Sequence, residues 1–70
     1  MMPLNLAPPG EENIVRKIGG SPEVRRHLSD LGFAVGGSVS LIAVLNGNVI
    51  VKVRESRVAL DAELARRIMV

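Results

Sequence analysis

Cysteine, tryptophan and tyrosine are absent from this 70-residue sequence, which has one phenylalanine and one histidine. Without cysteine there is no disulfide framework, thiolate metal site or thiol nucleophile, which excludes the small stapled secreted proteins and thiolate-held structural zinc together. Nothing asks for an oxidising compartment. The shortage of rings argues against a single-strand nucleic-acid platform, where bases stack on exposed aromatics beside basic side chains. No apolar run approaches the ~18 residues of a membrane span. Met1-Met2-Pro3-Leu4 has neither the positive charge nor the apolar length of a signal peptide. The expectation is a soluble, cytoplasmic protein that does not insert into a membrane. Nine Lys and Arg against seven Asp and Glu leave only +2, so charge alone does not point to nucleic acid.

What remains is aliphatic: 47% of residues are hydrophobic, enough for one core and therefore one domain over residues 1–70. Pro8-Pro9-Gly10-Glu11-Glu12 reads as a surface turn, because the prolines withhold donors and the glycine interrupts any regular run. Asn13 to Ile18 follows as a first strand, with Ile14 and Ile18 to one side and Val15 and Lys17 to the other. Ser21-Pro22-Glu23 opens a helix with a capping hydroxyl, a proline at the first position and an acid near the positive dipole end. Val24, Leu28 and Leu31 form its apolar stripe, and Gly32 ends it.

Ser38 to Val44 and Val49 to Arg54 read as two strands joined at Asn46-Gly47, the strongest short hairpin signal. Val39, Leu41 and Ala43 are expected on one face of the first; Val49, Val51 and Val53 on one face of the second, with Ile50, Lys52 and Arg54 opposite. A reversal at Glu55-Ser56 leads to a strand at Arg57 to Leu60, Asp61 caps a short helix from Ala62 to Arg67, and Ile68-Met69-Val70 closes the chain as a strand. The fold class is mainly β with short helices. Short antiparallel strands must hide their edges, which favours a small closed or nearly closed barrel.

Reactive chemistry is scarce. His27 is the only imidazole and the acids are scattered through turns and helix surfaces, so no metal cage is apparent and no metal, cofactor or catalytic residue is assigned. Its position between Val24 and Leu31 makes His27 a residue at the margin of the apolar stripe. Ser29 lies too near it on the helix to face it as a nucleophile. Gly19-Gly20 and Gly36-Gly37 lack the spacing and the Lys-Ser or Lys-Thr ending of a phosphate loop and are turn hinges. Phe33, flanked by Leu31 and Val35, is a core plug.

Several segments carry a family resemblance in order along nearly the whole chain. They are Leu6-Ala7-Pro8-Pro9-Gly10, Ile14-Val15-Arg16-Lys17-Ile18-Gly19-Gly20, the run from Arg26 to Gly36, the hairpin, Val58-Ala59-Leu60 and Ile68-Met69-Val70. Together they resemble the FeoA family of small proteins of the bacterial ferrous iron transport system, with Leu31-Gly32-Phe33-Ala34-Val35-Gly36 the most specific part. The resemblance implies an SH3-like barrel that acts as a cytoplasmic adaptor or regulator beside FeoB, the membrane-embedded GTP-binding iron permease. It also implies kinship with the barrel appended to iron- and manganese-responsive repressors. The chain departs from the family pattern in a short Asn46-Gly47-Asn48 hairpin tip and in Asp61, where an arginine often follows Ala-Leu.

The reading is therefore a non-enzymatic adaptor of ferrous iron uptake that docks on the permease. Candidate contacts are Arg25, Arg26, Arg54 and Arg57, with Ile42 and Ile50 on the outer hairpin face as apolar anchors. The rivals are a nucleic-acid-binding barrel and a carrier that binds the transition metal directly. The ligand shortage has a direct consequence: calorimetric titration with ferrous or zinc ions is expected to give no saturable heat, and a saturable one-site isotherm would favour the carrier.

Overall fold

In the computed structural model, which describes residues 1–70, Asn46 and Gly47 both take positive φ (50° and 81°). The type I′ hairpin turn, a two-residue turn whose twist matches the flanking strands, has positive φ at both positions. The chain runs through a short 3-10 turn at Leu4–Leu6, then β1 (Glu12–Ile14), β2 (Lys17–Ile18), α1 (Pro22–Asp30), β3 (Ser38–Leu45), β4 (Asn48–Val53), β5 (Ser56–Asp61), α2 (Ala62–Ala65) and β6 (Ile68–Met69). One antiparallel sheet has the order β1-β3-β4-β5, and β2 pairs with β6 in a second.

Alternation builds the core. Val39 and Leu41 of β3, Val49, Val51 and Val53 of β4, and Leu60 of β5 point inward, none more than 3% exposed. Leu28 from α1, the following Phe33, Ala65 of α2 and Ile68 of β6 cover them. As its sequence suggests, α1 starts with the Ser21 Oγ accepting from the Val24 N–H at 3.2 Å and Pro22 in the first turn. It stops at Gly32, whose φ of 110° suits glycine. Only Leu28 of the expected stripe is fully buried; Val24 and Leu31 are half-buried at its margins, and His27 is exposed.

Four expectations are corrected. The single strand from Asn13 to Ile18 is two, because the chain changes partners. Val15 exchanges bonds with the loop before β3 (its N–H to Gly37 O, 2.9 Å; Gly36 N–H to its O, 2.8 Å), whereas the Arg16 N–H reaches Met69 O at 2.7 Å. At this corner Val15 is the buried residue (1% exposed) and Ile14 faces out (40%). In β3 the register shifts between Leu41 and Ala43, so Ile42 is the extra residue of a bulge and Ala43 leaves the face of Val39 and Leu41 to pair with Ile50. The reversal after β4 comes one residue early: Val53 pairs with Ser56, leaving Arg54-Glu55 as the turn. Finally, α2 stops at Ala65 rather than Arg67, with Arg66 as its cap. Asp61 starts it as expected, Oδ1 accepting from the Leu64 N–H at 2.8 Å.

The first residues carry structure that no periodicity announced. Leu4 is fully buried and Ala7 is 3% exposed. Met2 and Val70 exchange backbone hydrogen bonds of 2.8 Å in each direction. Leu4→Ala is accordingly expected to cost about 2–5 kcal/mol, whereas Leu6→Ala, at a side chain 66% exposed, changes stability by less than about 0.5 kcal/mol. Urea denaturation of both variants measures the contrast.

Candidate docking face

The alternation that fills the core also fixes what the sheet shows to solvent. Residues directly opposite on neighbouring strands share a face. The pairings therefore place Glu12, Ser40, Lys52 and Arg57 in one row across the outer face of all four strands. Ala43, Ile50 and Ala59 form the next row toward the hairpin tip. The outer face is polar and basic at one end and aliphatic at the other.

A concavity of about 420 Å³ opens at the polar end, lined by Glu12, Ser38, Ser40, Lys52, Arg54 and Glu55. The ion pairs of the protein lie elsewhere: the exposed Glu63 of α2 pairs with Arg66 at 2.9 Å and with Arg67 at 3.2 Å, just past the helix end. Lys52 and Arg57, directly opposite one another, therefore form a like-charge cross-strand pair with no carboxylate partner, an arrangement that disfavours the isolated sheet. No three His, Asp or Glu side chains converge anywhere in the molecule.

Arg54 has φ of 54°, a conformation costing a non-glycine residue about 1–2 kcal/mol. Its stem lies over Gly32, where an added Cβ would meet Arg54 Cδ at 3.5 Å. The turn thus seats a cation at the rim of the concavity against the end of α1. Strain of this kind persists where the surrounding structure imposes it, and it clusters at functional sites.

Of the residues singled out in the sequence, Ile50 and Arg57 share this face, and Arg54 lies at its end. Ile50 is half-buried and Arg54 and Arg57 are exposed. Ile42 is half-buried and, as the bulge residue, does not stand beside Ile50; Ala43 takes that place. Arg25 and Arg26 are exposed on α1, which seats on the inner side of the sheet through Leu28, so they lie across the molecule from Ile50. Arg25 is tied down locally, its Nη1 donating to Gly20 O at 3.0 Å. Lys52, Glu12 and the serines of the concavity were not singled out by residue type; their signal was the strand register, which places them in one row.

The family model of the FeoA domain matches residues 2–70. The chain belongs to the FeoA family. It is 37% identical over 70 residues to a Methanocaldococcus jannaschii protein named "Putative Fe(2+) transport protein A", covering 100% of this chain and 85% of that relative. The fold superposes with a TM-score of 0.86 on a crystal structure of an iron uptake regulatory protein, FeoA, at 30% identity over 96% of this chain and 89% of the other. It also matches a manganese-dependent transcriptional repressor with a TM-score of 0.84, at 20% identity, across 94% of this chain and 38% of the repressor; that likeness is one of fold. The FeoA architecture is an SH3-like barrel, and in this FeoA-family chain no helix is long and apolar enough to cross a membrane.

If Arg54 holds its strained conformation for the site, relieving the strain separates stability from recognition. Arg54→Gly is expected to raise the unfolding free energy by about 0.5–1 kcal/mol in urea denaturation, while removing a cation from the rim of the concavity.

Proposed function

We propose that this FeoA-family protein is a non-enzymatic accessory of ferrous iron transport. It docks on the cytoplasmic part of a FeoB-type GTP-binding permease through the outer sheet face and thereby regulates Fe2+ uptake. The observation that carries the choice of face is the pair Lys52 and Arg57, directly opposed without a carboxylate and adjoining the half-buried Ile50. An acidic patch on a partner relieves their mutual repulsion, and an apolar side chain seated on Ile50 supplies the desolvated centre of a small interface. Family membership over residues 2–70 supports the transport role, and the scarcity of reactive side chains supports recognition rather than catalysis.

The test is a binding titration of the protein with the permease G domain and with the full-length permease, at low salt and with guanine nucleotide varied. Ile50→Asp combined with Lys52→Glu is expected to weaken binding at least tenfold, a loss of about 1.4 kcal/mol or more. Arg25→Glu with Arg26→Glu, across the molecule, is expected to leave it within about twofold, since rim and remote charges contribute little. The reverse pattern would move the docking face to α1, and no binding to either permease form would remove the reading.

A further inference from the structure

The two edges of the main sheet are unequal. β1 is three residues long and follows directly on Pro8-Pro9-Gly10-Glu11, the short, proline-flanked edge by which soluble proteins avoid pairing with other chains. β5 is six residues long and regular in its pairing with β4, with neither proline, glycine nor lysine from Ser56 to Asp61. Because Val53 and Ser56 flank a two-residue turn, alternation sends the N–H and C=O groups of Ser56, Val58 and Leu60 to β4 and those of Arg57 and Ala59 outward. Neither residue enters any hydrogen bond outside the ladders, and both are exposed.

We propose that the β5 edge pairs with the β5 edge of a second copy of this chain, antiparallel about a two-fold axis at Ala59, joining two four-stranded sheets into one continuous sheet. The residues of β5 fit this occupant on both faces. Centring on Ala59 sets Arg57 opposite Asp61 of the copy, twice by symmetry, so each unpaired guanidinium meets a carboxylate. Asp61 keeps its capping bond through Oδ1 and has a second oxygen to offer. The small Ala59 side chains meet on the axis and extend the aliphatic row of Ala43 and Ile50 across the dimer. On the inner side the half-buried Val58 lies opposite Leu60 of the copy. A shift of two residues in either direction loses the charge match, so the register is specified. The pairing runs along the edge and leaves Ile50 and Lys52 uncovered. It shares Arg57 with the docking reading above and leaves Ile50 and Lys52 to it; the sedimentation and exchange tests use no permease, so failure of the pairing and failure of the docking reading are distinguishable.

Sedimentation equilibrium of the full chain from about 10 µM to 1 mM, a range suited to a small edge-to-edge interface, is expected to show mass rising from 7.5 kDa toward twice that value. Amide exchange at Arg57, Ala59 and Asp61, the outward-facing residues that alternate with the β4-bonded ones, is expected to slow as concentration rises, with the other strand amides unchanged. Ala59→Pro removes an outward N–H that no internal bond uses, and Arg57→Glu places like charges across the axis. Each is expected to weaken dimerisation at least tenfold while leaving the circular dichroism spectrum unchanged. A mass fixed at 7.5 kDa across the range would overturn the proposal, as would a dimer whose concentration-dependent protection falls elsewhere or one that Ala59→Pro leaves intact. Should a variant misfold, the concentration dependence of exchange in the unaltered protein decides the matter.

Discussion

The alternation of β4 governs the rest of the molecule. This strand pairs on both sides, and its Val49, Val51 and Val53 are the centre of the core. A slip of one residue against either neighbour would send all three valines to solvent and draw Ile50 and Lys52 inside, leaving a buried ammonium without a partner. The Asn46-Gly47 turn locks the same register from the other direction, since its positive φ at both positions joins Leu45 to Asn48 in two residues. Because the core fixes which residues face inward, it also fixes that Ile50 and Lys52 face outward, against Ala59 and Arg57. The candidate docking face is the complement of the core.

A small barrel cannot be made of straight ribbons, and the places where this one bends are where its features lie. The change of partner between Val15 and Arg16 passes the chain from one sheet to the other. The bulge at Ile42 turns β3 over the first residues, where the Gly10 N–H reaches Leu41 O at 2.8 Å. The Arg54-Glu55 turn closes β4 onto β5 and places a positive φ on a residue with no intrinsic liking for it. A glycine would take this conformation without strain; the arginine brings instead a stem over Gly32 and a charge at the rim of the concavity.

Local chemistry made some of this legible in the sequence. The N-caps at Ser21 and Asp61, the glycine stop at Gly32 and the Asn46-Gly47 turn depend on a few adjacent side chains acting on their own backbone. The structure has each where its residues placed it. What was not legible depends on distant partners. Ile14 and Val15 look equivalent in composition, and only the switch from β3 to β6 decides that Val15 goes inside. Leu4 belongs to no periodic segment, yet it fills the core because the first turn folds back on β3 and α2. The site followed the same division: alternation identified Ile50 as outward-facing, whereas the displacement of Ile42 by Ala43 required the bulge, which leaves no signature in an apolar run from Leu41 to Val44.

The segment on which the family resemblance was read most directly in the sequence, Leu31 to Gly36, is distant in kind from the proposed docking face. Gly32 supplies a φ of 110° beneath the Arg54 stem, Phe33 fills the core at 1% exposure, and Gly36 bonds Val15 O at 2.8 Å. Each answers a demand of the backbone or the core that few other residues meet. The outer face makes no such demand: at Lys52 or Arg57 any side chain that tolerates a strand would complete the barrel. Residues that identify this fold are therefore constrained from within, and residues that choose a partner are constrained only by that partner. An opposed pair of cations at positions where the fold is indifferent, and where the sheet's stability is poorer for them, answers no demand of the barrel, so any role for it lies in what meets that face from outside.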